Sequence, residues 1–290
     1  MKRYLLFLIC LQIIMCRFLS GEEHDFLETR EESFRASPAD PLEVFIDVDA
    51  GEISVAKSQS EREGKVFFRY DKEMFKARFY FFEEKNQLRV SLDKRDWKEW
   101  PFKKDKDDET VARVEVLLPY GVDIYLDAKL KAGQTVMQLG GLRLKEFSFN
   151  NWAGEVKLQF QEPNPIVMEF LDVHNKVGEM ELLDLGNARF ERAEIDGGIG
   201  EIKVYFHGAI LDESMANVDL DIGEAAAHLP LDVGIRMFVG GGLGFLSNKD
   251  IDSSFYRRGQ YYITENYKTQ KKKFSLRITP GLGELKVEKE

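Results

Sequence analysis

Residues 170–204 read FLDVHNKVGEMELLDLGNARFERAEIDGGIGEIKV, and this stretch contains one short motif twice. The motif is a glycine and a glutamate followed by apolar, polar and apolar residues, beginning at Gly178 and again at Gly200. Further copies begin at Gly51, Gly154 and Gly283, and looser copies begin at Gly133 and Gly223. From Gly133 to Gly223 the successive spacings are 21, 24, 22 and 23 residues, and Gly244 falls 21 residues later. Such a nearly constant period predicts a repeat architecture.

A second apolar alternation precedes the motif in each copy. Aligned on the glycine, its paired apolar residues are Phe147/Phe149, Leu171/Val173, Ala193/Ile195 and Val218/Leu220. Alternation with period two predicts strands that each have one buried face. Two short strands and two turns cannot bury that face alone, so neighbouring copies should stack. The sequence predicts an all-β solenoid of roughly seven rungs, about 35 Å tall at the usual strand spacing, with the glycines at the corners.

The chain before the repeats also alternates. Strands are predicted within 42–118, which we interpret as a β-rich N-terminal cap region, while 119–290 holds the solenoid repeats. Segments 56–118 and the aromatic insertion 247–273 are expected to close the two ends, because open solenoid ends would add further strands.

The first twenty residues have the character of a signal peptide. Lys2 and Arg3 precede an apolar run from Leu5 to Met15 that is too short to span a bilayer comfortably. We therefore expect an exported protein of the periplasm or cell envelope, or a secreted one, with a membrane anchor only if Cys16 is lipidated. Cys10 and Cys16 are the only cysteines, so a cleaved, unlipidated chain has no disulfide, cysteine–zinc site or cysteine nucleophile. Residues 21–41 are polar, acidic and proline-closed, which predicts a linker.

The net charge of the chain is −10. Removing residues 1–20 would leave about −13 by the same count, which makes nucleic acid an improbable partner. Surface acids that keep an exported protein soluble explain this charge, and binding of cations or a basic ligand is the alternative.

Residues at both ends of the predicted β region resemble a known family. Leu42-Glu43-Val44, Asp49-Ala50-Gly51-Glu52-Ile53, Gly64-Lys65-Val66 and Asn86-Gln87-Leu88-Arg89-Val90 resemble the opening of the bacterial toast-rack proteins. The closing stretch from Tyr261 to Val287 is also similar. These proteins are related to the "putative adhesin" β-solenoids and to the C-terminal part of LiaF-like cell-wall-antibiotic response proteins. The resemblance implies a single-stranded right-handed β-helix in the cell envelope, and it carries no catalytic residues over.

Several patterns are candidate sites of chemistry. The turn position before the motif aligns, with short deletions allowed, as Asp49, Lys131, Asn150, His174, Asp196, Asp221 and Thr279. Such a ladder could bind calcium or a sugar, but Asp and Asn also cap solenoid turns, and no Asp-x-Asp-x-Asp-Gly loop is present. The motif glutamates should stack, and Lys157, Lys203 and Lys286 are the simplest compensation. Gly240–Phe245 is interpreted as a repeat corner, because no Gly-Lys-Ser/Thr follows it.

The sequence predicts no enzyme, no metal and no cofactor. A nucleophile-elbow motif is absent, and among 51 acidic residues no carboxylate pair stands out as catalytic. The candidate binding surface consists of aromatic residues: Trp97, Trp100, Tyr256, Tyr261, Tyr262 and Tyr267. The two tryptophans could instead pack their loop against a sheet. The basic run Lys271–Lys273 could touch acidic lipid or glycan, or it could be a solvated hairpin. The leading prediction is a structural or adhesin-like binding protein whose partner is an envelope protein or a surface glycan. The alternatives are a polysaccharide-binding or polysaccharide-degrading β-helix enzyme and an envelope-stress accessory protein.

Overall fold

A computed structural model describes residues 26–95, 111–240 and 247–290 of the chain. These residues form seventeen β-strands joined in one continuous sheet topology. Beside the strands they contain short 3₁₀ turns, at Glu83–Lys85, Leu185–Ala188 and Glu265–Lys268. Within the described ranges, no helix is long and apolar enough to cross a membrane. The predicted all-β solenoid is confirmed.

The strands follow one another along the chain with short connections. They are β1 (Leu27–Arg35), β2 (Leu42–Val48), β3 (Gly51–Lys57), β4 (Glu63–Asp71), β5 (Phe75–Phe82), β6 (Gln87–Lys94), β7 (Ala112–Leu118), β8 (Asp123–Gln138), β9 (Arg143–Gln159), β10 (Met168–Leu183), β11 (Phe190–Tyr205), β12 (Glu213–Leu229), β13 (Gly234–Val239), β14 (Ser247–Ile251), β15 (Phe255–Arg258), β16 (Tyr261–Thr264) and β17 (Lys273–Lys289).

The rungs of the solenoid are six long strands, β8 to β12 and β17, each of 16 or 17 residues. The two short strands predicted for each repeat are therefore one continuous strand that bends at the motif glycine. The glycines of neighbouring rungs are paired in parallel register, as in Gly178 with Gly200 and Gly223 with Gly283. Each has a positive φ, which is 146° at Gly200. The predicted corner position of the glycine is confirmed.

The buried core runs the length of the stack. Inward residues such as Phe149, Val173 and Ile195 are completely buried and lie in one register. The residue in register with Ile195 is Val218, and Ala216 precedes it in register with Ala193. The predicted alignment of Val218/Leu220 with Ala193/Ile195 is therefore wrong by two residues. A shift of two keeps every side chain on its predicted face, because strands have a period of two.

At the N-terminal end, β2 and β3 form the first rung with a glycine corner, at Gly51. Beyond this rung, β6 and β7 extend the stack in parallel with β2 and β3. Strands β5, β4 and β1 then add antiparallel strands to that end. Residues 96–110, which include Trp97 and Trp100, connect β6 to β7 and lie outside the described residues.

The predicted linker at 21–41 is wrong for Leu27–Arg35, which forms β1. This strand pairs with β4 along its whole length, and its Phe34 side chain is buried. Cross-strand ion pairs join Arg35 to Glu63 and Lys65 to Glu31, both at 2.6 Å. The segment is polar because it is an edge strand, where exposed charges prevent pairing with another chain. Residues 1–25, with the predicted signal peptide and both cysteines, are outside the described ranges, and the other domain boundaries stay predictions.

At the C-terminal end, the order of the rungs differs from the order of the chain. Strand β17 pairs with β12 on one side and with β13 and β14 on the other. The neighbour of Gly223 is therefore Gly283, and the spacing that suggested Gly244 as the next rung was misleading. Gly244 itself lies in 241–246, outside the described residues. Strands β16 and β15 continue the end from β13 in antiparallel pairing.

Candidate functional site

A shallow pocket of about 280 Å³ lies on the outer face of the C-terminal end. Strands β13, β15 and β16 and the 3₁₀ turn Glu265–Lys268 supply its walls. Three tyrosines and three cations surround Ile263, which is almost fully buried. We call these residues the tyrosine pocket: Tyr256, Tyr261, Tyr267, Arg236, Arg258, Lys268 and Ile263.

Strand register explains why these side chains meet. Ile263 is paired with Arg236 on one side and with Tyr256 on the other. Tyr261 is paired in the same way with Phe238 and Arg258. These residues alternate with those that face inward, so Tyr262, paired with Met237, packs against the core. Tyr262 therefore does not belong to the pocket.

Two arginine side chains pack on a pair of aromatic rings across this outer face. The Arg277 guanidinium lies 5.1 Å from the Phe238 ring centroid, and that of Arg236 lies 5.2 Å from the Tyr261 ring. The rings of Phe238 and Tyr261 meet edge to face at 6.1 Å. Cation–π contacts of this kind hold the guanidinium groups in place. Arg236 also donates one hydrogen bond from Nη2 to the Ser275 hydroxyl at 3.5 Å, and its other N–H donors can serve a ligand.

The charge of this end is opposite to that of the whole chain. Residues 234–280 contain nine Lys and Arg against three Asp and Glu. Within the described part of the chain, Arg236, Arg258 and Lys268 make no ion pair, and neither does Arg277. By contrast, every Lys and Arg from Lys129 to Lys157 contacts a carboxylate, as Arg143 does with Asp123 at 2.8 Å. The tyrosine pocket is thus an unneutralised basic site on an acidic protein.

The structure places the predicted binding residues unequally. Tyr256, Tyr261 and Tyr267 line one pocket, whereas Trp97 and Trp100 lie outside the described residues, and the binding role of all five stays a prediction. Tyr256 also lines a second hollow of about 430 Å³, together with Asn266 and Lys289. Nothing in the sequence pattern indicated Arg236, because the pairing of β13 with β16 brings it to the pocket from 20 residues before Tyr256. The available signal was Arg257-Arg258 within the aromatic segment.

The polar ladder lies on the half of each rung that precedes the motif glycine, and its members differ from the predicted alignment. Its members in register are Asp47, Lys129, Asn150, His174, Asp196, Asp219 and Thr279. The predicted members Asp49, Lys131 and Asp221 lie two positions after the residues that are in register. In every copy the ladder residue lies four positions before the motif glycine, so the short deletions that the predicted alignment allowed are not needed. Among the residues described, no group of three or more His, Cys, Asp or Glu side chains could hold a metal ion.

His174 lies in the middle of this ladder, and its side chain contacts two carboxylates. Its Nε2 lies 2.8 Å from Asp172 and its Nδ1 lies 2.8 Å from Asp196. The hydrogen bond with Asp196 raises the pKa of His174, burial opposes the rise, and the charge of Asp172 adds to it. When protonated, the imidazole neutralises both acidic neighbours, and its raised pKa widens the pH range in which it does so.

The predicted column of glutamates forms on the half of each rung that follows the motif glycine. Its one uncharged member is Gln134, which lies between Glu52 and Glu155. The predicted lysine compensation is confirmed only for Lys203, which lies 2.6 Å from Glu201. Lys157 instead pairs with Glu181 at 2.6 Å, and Lys286 pairs with Glu288 at 2.8 Å. Arg113 also contacts Glu52, so four of the six glutamates in the column have no ion pair within the described residues. They are Glu155, Glu179, Glu224 and Glu284.

Comparison with known families identifies the architecture. The family model of the N-terminal domain of toast_rack, DUF2154, matches residues 23–169, about half of the chain and the part that contains β1 to β9. The chain belongs to the toast-rack family. The match also includes β1, which agrees with its place in the fold rather than in a linker.

Two solved structures illustrate what this toast-rack chain is similar to. A "putative cell adhesion protein" from Clostridium sporogenes is 14% identical, covering 91% of this chain and 100% of its own, with a TM-score of 0.40. A "putative adhesin" from Bacteroides fragilis is 12% identical, covering 90% and 97%, with a TM-score of 0.39. A comparison with curated proteins finds no match.

Proposed function

We propose that this toast-rack protein is an exported, non-enzymatic, adhesin-like protein of the cell envelope that binds acidic surface glycans. The observation that carries the proposal is the tyrosine pocket, where three tyrosines lie beside three cations that have no carboxylate partner among the described residues. The charged start and apolar run of residues 2–15 support export.

The chemistry of the pocket suits a sugar acid. Tyrosine offers a flat apolar ring that packs against the C–H face of a sugar, and a hydroxyl that hydrogen-bonds its edge. Arginine matches a carboxylate with two parallel N–H donors, so Arg236 and Arg258 provide selectivity for charge. The shallow shape of the pocket fits recognition of a surface residue of a polymer better than enclosure of a small molecule.

The proposal is tested by calorimetric titration with tetragalacturonate and with its fully methyl-esterified form, which has the same backbone without the charge. Arg258→Gln should weaken binding of the acid by at least about tenfold, because a charge-assisted pair is lost. Arg257→Gln is the matched control, since Arg257 is paired with Tyr262 and so points to the other face. Tyr261→Ala should also weaken binding.

Two results would contradict the proposal. Failure of the wild-type protein to bind acidic oligosaccharides from any class on a glycan array would exclude the glycan function. Equal affinity for a single-stranded oligonucleotide would indicate a general polyanion site. Chromatography of the tetragalacturonate after prolonged incubation tests the alternative of a degrading enzyme, and we expect it to be recovered intact.

A further inference from the structure

A column of exposed apolar side chains runs along the corner of the stack, at the position just before each motif glycine. Its members are Val177, Ile199, Ile222 and Leu282, which we call the corner ridge, and their exposed fractions are 47%, 53%, 44% and 39%. They are paired in sequence across four neighbouring rungs, Val177 with Ile199, Ile199 with Ile222 and Ile222 with Leu282. Together they form one continuous apolar surface.

The fold does not require these residues to be apolar. The same position in the earlier rungs is Ala132 and Ala153, which are small. Trp152, beside Ala153, extends the apolar surface with an exposed fraction of 58%, and the Lys176 ammonium lies 4.4 Å from its ring centroid. Large apolar residues aligned on a solvent-facing edge are unusual in a monomer and typically indicate an interaction surface.

Acidic residues flank the corner ridge. The glutamates of the column lie two positions after the ridge residues, and Asp221 lies directly before Ile222. Within the described ranges, Glu179, Glu224, Glu284 and Asp221 make no ion pair, while Glu201 is paired with Lys203. The ridge is therefore an apolar strip with a mainly negative border, in which Lys203 neutralises Glu201 and Lys176 adds one positive charge beside Val177.

We infer that the corner ridge docks a partner protein that presents an apolar stripe flanked by lysines or arginines. Charge complementarity selects this partner, because a basic border would neutralise the free glutamates as the apolar surfaces meet. A second copy of this chain would bring the same acidic border and is disfavoured, as is an anionic bilayer. At about 4.8 Å per rung the ridge spans about 14 Å, which matches an amphipathic helix with one apolar side chain per 5.4 Å turn.

The test uses a designed probe, an amphipathic helical peptide of about 14 residues with a leucine stripe bordered by lysines. Fluorescence anisotropy should show binding that weakens as salt is added. The double variant Ile199→Ser/Ile222→Ser should bind at least about tenfold more weakly, because the centre of an interface dominates its affinity. The matched control is Val136→Ser, since Val136 is equally exposed, at 47%, but lies on the outer face after the corner.

A second variant keeps the apolar ridge and removes its charge. The double variant Glu224→Gln/Glu284→Gln should bind the lysine-bordered peptide more weakly than wild type does. Its affinity for a peptide whose stripe is bordered by glutamines should be unchanged. Wild-type affinity for the lysine peptide in both double variants would overturn the inference, and so would concentration-dependent dimerisation of the protein that the Ile199→Ser/Ile222→Ser change abolishes. Tyr261→Ala should bind the peptide like wild type, so failure of the glycan proposal and failure of this one are separate results.

Discussion

Each motif glycine lies so close to the neighbouring rung of the stack that a side chain would not fit there. A β-carbon built on Gly200 would lie 1.9 Å from the carbonyl oxygen of Gly178, and one on Gly223 would lie 1.8 Å from that of Gly200. No atom can be placed at such distances, and the positive φ of these residues is a conformation that side chains rarely adopt. The glycines therefore set both the bend of each rung and the spacing between rungs.

Substitution of a motif glycine tests whether this close approach between rungs requires a residue without a side chain. We expect Gly200→Ala to reduce the free energy of unfolding by about 3 kcal/mol, from backbone strain together with the clash. The control is Gly259→Ala, because Gly259 also has a positive φ, of 63°, but a β-carbon added there would meet nothing within 4 Å, so its cost should be about 1 kcal/mol. Urea unfolding measures both values, and equal costs would show that close approach between rungs does not matter.

At the scale of one element, β1 shows how a polar strand can be structural. The ring of Phe34 occupies space above Gly64 and lies 5.2 Å from the ring of Phe81. We expect Phe34→Ala to cost about 3 kcal/mol, the usual cost of removing a buried phenylalanine side chain. Phe82→Ala is the control, because Phe82 is 44% exposed, and it should cost less than about 1 kcal/mol. Thermal unfolding distinguishes the two, and no effect of Phe34→Ala would restore the linker interpretation.

Predictability of the elements depended on whether a signal was local. Glycine period and strand alternation are local properties, so the corner at Gly178 and the burial of Val173 followed from the sequence. The pairing of Gly223 with Gly283 did not, because every rung has the same edge and nothing in the motif says which rung is adjacent. The tyrosines of the pocket were predicted as a binding surface from residue type alone, and that role stays a prediction. Arg236 was not, because an antiparallel pairing brings it there.

At the scale of the molecule, charge is separated along the stack. The end formed by residues 234–280 is basic, and the corner of the preceding rungs is acidic and apolar. Each surface has charges without partners within the described residues, and the two surfaces call for opposite ligands. The proposed glycan site and the proposed protein-docking ridge are therefore compatible, because they lie on separate surfaces of opposite charge.

The insertion of β17 between earlier strands has a consequence for stability. Strands β13 to β16 lie at the end of the stack, yet among the described residues β13 and β14 have their parallel partner only in β17. Solenoid stability is approximately a sum over neighbouring rungs, so strands that pair with one another but not with the stack should add nothing to its stability. We expect a chain ending at residue 272 to melt no higher than one ending at residue 229, and to aggregate more because β13 to β16 expose apolar surface.

Calorimetry and light scattering on both chains provide the measurement, with the chain ending at residue 290 as reference. A clearly higher melting temperature for the chain ending at 272 would mean that β13 pairs directly with β12, the order that the 21-residue spacing of Gly223 and Gly244 suggested.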